Sequence, residues 1–228
     1  MSTNTSRRNF LKAISTVGGG LVLGIDFGSG LISTACASES NKTFQPSAWL
    51  RIDTDGTITI TVAKSEMGQG IRTALPMLIA EELEADWTKV RIEPALAHPD
   101  KYGSQSTGGS TSVRTQYSTL RKAGASAREM LISAAAKQWH VSESDCRAEH
   151  SAVVHSSSGK KLSYGELATS AASLPVPDEP TLKDSKDFKY LGKKMPRLDT
   201  PSKVDGSAMF GMDVQIPNMV YAVIVRPH

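Results

Sequence analysis

The chain has 228 residues, which allows one large or two small domains, and its hydrophobic content of 39% and charged content of 21% are ordinary for a soluble globular protein. The formal net charge is +3, and the first 37 residues carry +2 of it because they hold three basic side chains and one acidic side chain. The +1 that remains gives no reason to expect a nucleic-acid surface.

The N-terminus has the features of an export signal. Its segment Ser6-Arg7-Arg8-Asn9-Phe10-Leu11-Lys12 resembles the twin-arginine signal, and an apolar stretch follows from Ala13 to Ile25. That stretch is shorter and richer in glycine than a membrane span, which needs about 20 apolar residues, and it suits the core of a signal peptide. Because the twin-arginine system generally carries folded proteins, often with a cofactor already loaded, the signal favours a cofactor-containing protein in the periplasm.

The sequence Ala35-Cys36-Ala37 has the small-x-small form of a cleavage site, which predicts that residues 1–37 are removed as a signal peptide. A lipidated Cys36 is the minor alternative, because the residues before it lack the large aliphatic side chain with which that motif usually starts. Cleavage would leave Cys146 as the one cysteine, so no internal disulfide, Cys-ligated zinc site or iron–sulfur cluster is expected in this chain. The histidines show no helical ligand spacing and are predicted to lie on the surface; they are His98, His140, His150, His155 and His228.

The folded part of the chain is predicted to open with a hairpin. Two runs that alternate apolar and polar residues, Trp49–Asp53 and Thr57–Val62, flank Asp55-Gly56, which is a strong hairpin signal. A helix reaching Ala85 and a strand at Val90–Glu93 follow. One strand pair, one helix and a further strand predict a mixed sheet-and-helix domain of the α+β class.

Two glycines flank one glutamine in Gly68-Gln69-Gly70, which we term the Gly-Gln-Gly turn. Glycine permits positive φ and close approach of a ligand, and the Gln69 amide can read a heterocycle edge that presents both a donor and an acceptor. Thr73 is the predicted N-cap of the helix, which puts Pro76 in the first turn, where proline is tolerated. Glu66 is predicted to organise the turn rather than to act as a base. The alternative is that Gly-x-Gly at this junction is only a turn.

A second stretch, Tyr102–Arg114, is dense in glycine and hydroxyl side chains, and we term it the Gly/Ser loop. A helix is predicted directly after it, roughly from Ser112 to Trp139. The N–H groups and partial positive charge of a helix N-terminus attract phosphate, and Arg114 could add a bidentate contact. A flexible linker in which Ser110 or Ser112 is a simple N-cap explains the same residues equally well.

The later half of the chain carries structural signals. Cys146–Glu149 and Ala152–His155 flank a turn at His150-Ser151 and predict a small hairpin. Ser163-Tyr164-Gly165-Glu166 is a capping-box pattern at the start of a helix. Cys146 itself is interpreted as a buried small hydrophobic residue.

These signals predict four segments after the signal peptide. Residues 38–47 are a linker, residues 48–174 form the α+β domain, and residues 175–196 are a proline-containing connector. Residues 197–228 form a further incomplete domain, in which Val220–Val225 has the pattern of a buried strand.

The chain resembles the molybdopterin-binding large subunits of the xanthine dehydrogenase family, and most of all the branch of isoquinoline 1-oxidoreductase beta subunits. The resemblance is carried by Glu66–Pro76 with Ala80–Leu83 and Asp86-Trp87, by Gln105–Arg114, and by Arg197–Gly206. It implies that residues 48–174 form the molybdopterin-binding domain and that residues 197–228 hold the first strands of an α/β hammerhead domain.

The resemblance also implies a cofactor and its contacts. Gly68, Gln69 and Gly70 would contact the pterin of molybdopterin cytosine dinucleotide. The Gly/Ser loop would hold its pyrophosphate and nucleotide through Gly108, Gly109, Ser110, Thr111, Ser112 and Arg114.

The implied activity is hydroxylation of an aldehyde or an N-heterocycle with oxygen from water. Electrons would leave through a small [2Fe-2S] subunit, with a cytochrome c as a candidate acceptor. The resemblance covers only the N-terminal portion of the large subunit, and the family's remaining cofactor loops and catalytic glutamate have no counterpart here. No catalytic residue is therefore assigned, and the chain alone is expected to be catalytically incomplete. The alternatives are a non-catalytic cofactor-binding or scaffolding module and a non-functional truncated remnant.

Overall fold

The structure is a computed structural model, and it describes residues 20–25, 32–35 and 48–227. The chain divides into two compact units, one ending at Met195 and the other beginning at Pro196. Within the described residues, the first unit contains both sheets and the long helices. This mixture of helix and sheet confirms the predicted α+β class.

A five-stranded sheet forms the centre of the first unit, with the strand order β2-β1-β3-β4-β5. Its strands are β1 Gly20–Ile25, β2 Ile32–Ala35, β3 Ala48–Asp53, β4 Ile58–Val62 and β5 Val90–Pro94. Neighbouring strands are antiparallel except for β4 and β5, which are parallel. A parallel pair requires a crossover connection, and helix α1, Ile71–Leu83, provides it.

The predicted first hairpin is confirmed. Strands β3 and β4 pair with Leu50 opposite Ile60 and Ile52 opposite Ile58. Gly56 in the turn between them has a φ of 85°, which glycine adopts without steric cost. The alternating pattern places these four apolar side chains in the core, each 0–1% exposed.

The described residues contain four further α-helices. They are α2 Pro99–Tyr102, α3 Ser112–Trp139, α4 Tyr164–Ala172 and α5 Thr200–Val204. Helix α3 has the bounds that the sequence predicts, and it packs along α1. At this crossing a Cβ on Gly124 would lie 2.5 Å from the carbonyl oxygen of Ile79, so glycine is what lets the two helices approach.

The second sheet is small and antiparallel, with β6 Cys146–Glu149, β7 Ala152–His155 and β8 Lys161–Ser163. Its first two strands are the predicted hairpin. The third strand escapes prediction because three residues are too few to show an alternating pattern. Ser163 caps α4 through a capping box with Glu166, which confirms that prediction.

Helix α1 begins earlier than the sequence predicts. Its N-cap is Gly70, with a φ of 85°, so the prediction of Thr73 as N-cap is wrong. The cause is that Gly70 adopts a left-handed conformation while Glu66 accepts hydrogen bonds from the first amides. Pro76 consequently lies in the second turn, where it lacks the N–H that would bond to the carbonyl of Arg72.

The second unit has little regular structure among its described residues. The predicted buried strand at Val220–Val225 is wrong for this structure, because no strand is formed there and Val220 and Ile224 are 86% and 93% exposed. A strand is held by hydrogen bonds to a neighbouring strand, and none of the described strands pairs with this segment. The assignment of residues 197–228 to a hammerhead domain stays a prediction.

The predicted export signal falls mostly outside the described residues. The twin-arginine segment at residues 6–12, residues 36 and 37 of the cleavage site and the linker at residues 38–47 all lie outside them. Inside the predicted leader, the structure describes β1 and β2 as strands of the five-stranded sheet. Of the helices in the described part of the chain, none is long and apolar enough to cross a membrane.

Candidate functional site

The Gly-Gln-Gly turn lies where the chain leaves β4 and enters α1. Because β4 and β5 are parallel, their carboxyl ends, at Val62 and Pro94, meet at the same edge of the sheet. In sheets with parallel strands, ligands commonly bind at the carboxyl ends of those strands. The fold therefore places this turn at an edge that suits a ligand.

Glu66 organises the turn, as the sequence predicts. Its Oε1 accepts hydrogen bonds from the N–H groups of Gly68 at 2.8 Å and Gly70 at 2.9 Å, and its Oε2 accepts one from Arg72 at 3.1 Å. A carboxylate is favourable here because the N-terminus of a helix carries partial positive charge. These three amides are therefore already hydrogen-bonded to Glu66 within the turn.

Gln69 is exposed, but its amide is already used within the turn. Its Oε1 accepts from the N–H of Met67 at 2.5 Å, and its Nε2 donates to the carbonyl of Ser65 at 2.8 Å. An amide oxygen can accept a second hydrogen bond and an amide NH₂ can donate a second one. Gln69 is thus fixed at the surface and keeps one acceptor and one donor position for a ligand.

The Gly/Ser loop ends in a tight turn. The N–H of Thr111 donates to the carbonyl of Gly108 at 3.3 Å, and the two residues between them, Gly109 and Ser110, have φ values of 57° and 54°. Positive φ at both central positions is typical of a type I′ turn. Gly108, Gly109 and Ser110 are all exposed.

Helix α3 starts without a side-chain cap from its N-cap residue. That residue is Thr111, whereas the linker alternative assigns the cap to Ser110 or Ser112. The Thr111 hydroxyl donates back to the carbonyl of Gly108 at 2.9 Å. A 28-residue helix therefore presents its first N–H groups without a Thr111 cap, and Arg114 is exposed in that first turn. This arrangement favours an anion such as phosphate.

Lys64 joins the two loops, and sequence reasoning missed it. Its side chain is buried, and its Nζ donates to the carbonyls of Ser104 at 2.8 Å and Ser106 at 2.9 Å. Burial lowers the pKa of Lys64. The next residue, Ser65, donates its N–H to Oγ1 of Thr107 at 2.9 Å. A lysine after a strand carries no sequence signal for this role, because neither its type nor its spacing distinguishes it from a surface lysine.

Hydrogen bonds connect the two predicted cofactor loops without a break. The Gln69 amide bonds to the carbonyl of Ser65, and the N–H of Ser65 bonds to the hydroxyl of Thr107, which precedes Gly108. The structure therefore brings the Gly-Gln-Gly turn and the Gly/Ser loop together at the same edge of the sheet.

An open cavity of about 350 Å³ adjoins this junction, and its walls include Lys64, Glu66, Arg72 and Gln105. The Gln105 side chain accepts from the N–H of His98 at 2.7 Å and so fixes part of the wall. The predicted site residues of the two loops are not among the residues that line the cavity. The cavity is therefore lined in part by Gln105 of the Gly/Ser loop and lies beside the predicted contact residues.

Glu81 is buried on α1 and fastens residues 181–191, which we term the strap. Its carboxylate accepts from Nζ of Lys183 at 2.5 Å and from the N–H groups of Lys189, Tyr190 and Leu191. Burial by itself would raise the pKa of Glu81, but these hydrogen bonds lower it below the ordinary value. The strap is therefore held by a carboxylate whose ionised form these hydrogen bonds favour.

Glu82, the next residue, completes the attachment. It is 0% exposed and accepts from Arg121 of α3 at 2.7 Å, from Arg128 of α3 at 3.2 Å and from the N–H of Lys183 at 3.0 Å. Helices α1 and α3 and the strap are thus held together near the C-terminal end of α1. Two adjacent acidic residues inside an apolar helix are the sequence signal that could have identified this cluster.

The loops fit an anionic ligand that contains a heterocycle. A Cβ on Gly68 or Gly108 would have no atom within 4 Å, so the backbone can be approached closely at both points. Exposed hydroxyls and the start of α3 suit phosphate, and Gln69 suits a heterocycle edge. Among the described residues, no group of three or more His, Cys, Asp or Glu side chains could hold a metal ion.

A family model described as the molybdopterin cofactor-binding domain matches residues 7–218. The chain is 32% identical over 261 residues to the beta subunit of isoquinoline 1-oxidoreductase from Brevundimonas diminuta, covering 96% of this chain and 33% of that protein. It is 33% identical over 225 residues to the membrane-bound aldehyde dehydrogenase (pyrroloquinoline-quinone) of Gluconacetobacter polyoxogenes, covering 95% and 28%. The chain thus spans a third or less of the length of these two curated relatives.

Similarity extends to a further relative and to solved structures. The chain is 30% identical to a nicotinate dehydrogenase subunit of Pseudomonas putida, covering 78% of this chain and 15% of that protein. The reconstituted CO dehydrogenase from Oligotropha carboxidovorans aligns with a TM-score of 0.47 at 22% identity, covering 72% and 20%. Quinoline 2-oxidoreductase from Pseudomonas putida 86 aligns with a TM-score of 0.44 at 23% identity, covering 58% and 17%.

Proposed function

Because the chain belongs to the molybdopterin cofactor-binding domain family, we propose that its Gly-Gln-Gly turn and its Gly/Ser loop hold a molybdopterin cofactor at two points. Its relatives are named as oxidoreductase or dehydrogenase subunits, which supports the proposal that the chain is part of a molybdopterin oxidoreductase. The observation that supports the two-point arrangement is the hydrogen-bonded path from Gln69 through Ser65 to Thr107. Two loops joined in this way can act on one ligand.

The proposed ligand is molybdopterin cytosine dinucleotide, and the two loops have different parts in holding it. Gln69 directs its remaining donor and acceptor to the pterin, and Gly68 and Gly70 let the backbone approach the ring. Gly108 to Ser112 and the first amides of α3 hold the phosphates, with Arg114 as a further contact. When bound, the cofactor supplies the molybdenum centre at which oxygen from water reaches the substrate carbon.

The proposed activity is that of a molybdenum hydroxylase large subunit acting on aldehydes or N-heterocycles, of which this chain forms the N-terminal portion. Its proposed partners are the remainder of the large subunit, a small [2Fe-2S] subunit and a cytochrome c. The exposed apolar side chains of the second unit support the remainder of the large subunit as the partner that covers them, because Met212, Tyr221 and Ile224 are 95%, 81% and 93% exposed. No residue described in this chain is assigned to proton transfer.

The proposal is tested by the cofactor content of the purified chain, produced in a host that makes the dinucleotide cofactor. We expect molybdenum together with CMP released by acid hydrolysis, and we expect Gln69→Ala to lower both about tenfold because it loses hydrogen bonds. Gln138→Ala, at an exposed position of α3, is the matched control. A wild-type chain free of both molybdenum and CMP would contradict cofactor binding, and an unchanged content in Gln69→Ala would remove Gln69 from the site.

We further propose that the protein is exported to the periplasm by the twin-arginine pathway. The support is the sequence of residues 6–12, and a protein with a cofactor suits a pathway that carries folded proteins. Replacing Arg7 and Arg8 together by lysine should leave the protein in the cytoplasm, as measured by fractionation and immunoblotting. A double variant that still reaches the periplasm would refute the signal.

A further inference from the structure

The buried position of Lys64 is unusual for a cationic side chain. It is 8% exposed, and lysine is almost never buried unless it is paired. Its two acceptors are the uncharged backbone carbonyls of Ser104 and Ser106. Burial of an ammonium group is costly, and carbonyl acceptors recover part of that cost. The burial of Lys64 is therefore better explained by the loop that its ammonium group holds than by a gain in folding stability.

We propose that Lys64 is a positioning residue that fixes the Gly/Ser loop at a set distance from the Gly-Gln-Gly turn. Lys64 lies two residues after the end of β4 and two residues before Glu66, so it is attached to the rigid edge of the sheet. Its acceptors lie 40 and 42 residues further along the chain, in the exposed part of the loop. One side chain therefore ties the loop to the strand that carries the turn.

The loop is pinned on a second side as well. Gln105, between the two acceptor residues, donates from Nε2 to the carbonyl of Leu96 at 3.0 Å. The hydroxyl of Thr107 accepts the N–H of Ser65. Lys64 thus secures the alternate residues 104 and 106, while Leu96 secures residue 105 and Ser65 secures residue 107. After residue 107 the loop continues into the exposed segment Gly108–Ser110.

The consequence for binding rests on the proposed function. A loop that is ordered before the ligand arrives does not lose its conformational freedom during binding, so affinity rises without a new contact to the ligand. Lys64 would act through the loop and need not touch the cofactor. Loss of the cation should therefore loosen the loop in the ligand-free protein and weaken ligand binding as a result.

The first test is amide hydrogen exchange, followed by mass spectrometry, of the full 228-residue chain without ligand. Lys64→Met keeps the length of the side chain and removes the cation, and we expect peptides covering residues 102–111 to exchange about tenfold faster, with α3 from residue 120 onward unchanged. Lys122→Met, on helix α3 outside the loop, should show the exchange rates of the wild type. Lys64→Arg keeps the cation and its donors and should restore protection. Wild-type exchange in Lys64→Met, or an Arg variant as loose as the Met variant, would overturn the proposal.

A second measurement needs no variant, so it tests the buried and bonded state of Lys64, on which the proposal depends, even if Lys64→Met does not fold. In the native wild-type chain, acetylation of Lys64 by a soluble anhydride should be at least about tenfold slower than acetylation of the exposed Lys122, because the Lys64 amine is buried and bonded. Equal rates at the two lysines would overturn the proposal.

The link to binding is tested with CMP as the probe, by calorimetry. We expect Lys64→Met to weaken CMP binding about tenfold relative to the wild type and to Lys122→Met. Equal affinity in Lys64→Met would overturn the role of Lys64 in binding. A wild-type chain that does not bind CMP, yet shows the expected exchange pattern, would contradict the proposed function and leave the positioning of the loop by Lys64 supported.

Discussion

Single side chains with buried charge account for much of how this molecule is held together. Glu81 is 0% exposed, and its ionised form is favoured because Lys183 and three backbone amides donate to it. The pKa of Lys183 is raised: burial alone would lower it, and the hydrogen bonds and charges of Glu81 and Glu84 outweigh that effect. Both partners therefore favour the charged pair.

Glu81→Gln should destabilise the first unit by about 3 kcal/mol at pH 7, because it leaves the buried Lys183 with Glu84 as its remaining carboxylate partner and removes the charge to which three backbone amides donate. Since folding lowers the pKa of Glu81, its contribution is present above the ordinary value of 4.5 and is lost as the pH falls through the lowered value. The stability gap between wild type and variant should therefore narrow in acid. Urea denaturation at pH 7 and at about pH 3 measures the gap.

Glu149→Gln is the control for this prediction, because the side chain of Glu149 is 45% exposed and its surface pair with Arg147 should contribute less than about 1 kcal/mol. A gap between wild type and Glu81→Gln that does not change with pH would contradict an ionised Glu81.

Residues near the site differ in how well their roles can be predicted from the sequence. Glu66 is predictable because an acidic residue just before a glycine-rich helix start has an evident set of amides to accept from. Lys64 is not, because its acceptors are backbone carbonyls 40 and 42 residues away, and backbone carbonyls leave no trace in the sequence. The sequence identifies Gln69 as a polar residue, but it does not predict the hydrogen bonds that Gln69 makes within its own turn.

At the scale of elements, the crossing of α1 and α3 is a tight steric constraint. A Cβ on Gly124 would lie 2.5 Å from the carbonyl oxygen of Ile79 and 2.9 Å from Cβ of Glu82. The first of these neighbours is backbone and cannot rotate away. The crossing also carries Glu82 with its partners Arg121 and Arg128, so a change in helix spacing would disturb the strap.

Gly124→Ala tests this crossing. Alanine has a better helix propensity than glycine by about 1 kcal/mol, yet we expect the variant to lose about 2 kcal/mol because of the steric overlap. Ser118→Ala, at an exposed position of the same helix, should leave stability unchanged or slightly higher. Thermal unfolding followed by circular dichroism measures both variants. A stability gain in Gly124→Ala would show that the helices can separate at no cost.

Elements with a local signal are the ones the sequence predicts well. The bounds of α3 and the two hairpins follow from periodicity and turn residues, as does the capping box at Ser163. The start of α1 does not, because its cap comes from Glu66 in the preceding loop and not from a residue at the helix boundary. The segment Val220–Val225 has strand composition without a strand partner among the described residues.

At the scale of the whole molecule, the sequence predicts the fold class and the family better than it predicts how residues 181–191 are attached to the helices. The α+β class follows from one hairpin, a helix and a strand, and the family follows from two loop sequences. The strap does not, because residues 181–191 have little regular structure and are held by side chains of α1 and α3. Such long-range polar contacts depend on geometry that periodicity does not encode.

The strands β1 and β2 have a consequence for maturation. A cut after Ala37 would take both from the sheet, and the backbone groups of β3 that now bond to β1 would become an open sheet border. The same stretch, Gly20–Ile25, thus belongs both to the proposed transport signal and to the folded sheet. A protease that trims the leader would leave β3 with unpaired amides and carbonyls, and β3 would then need a new neighbour.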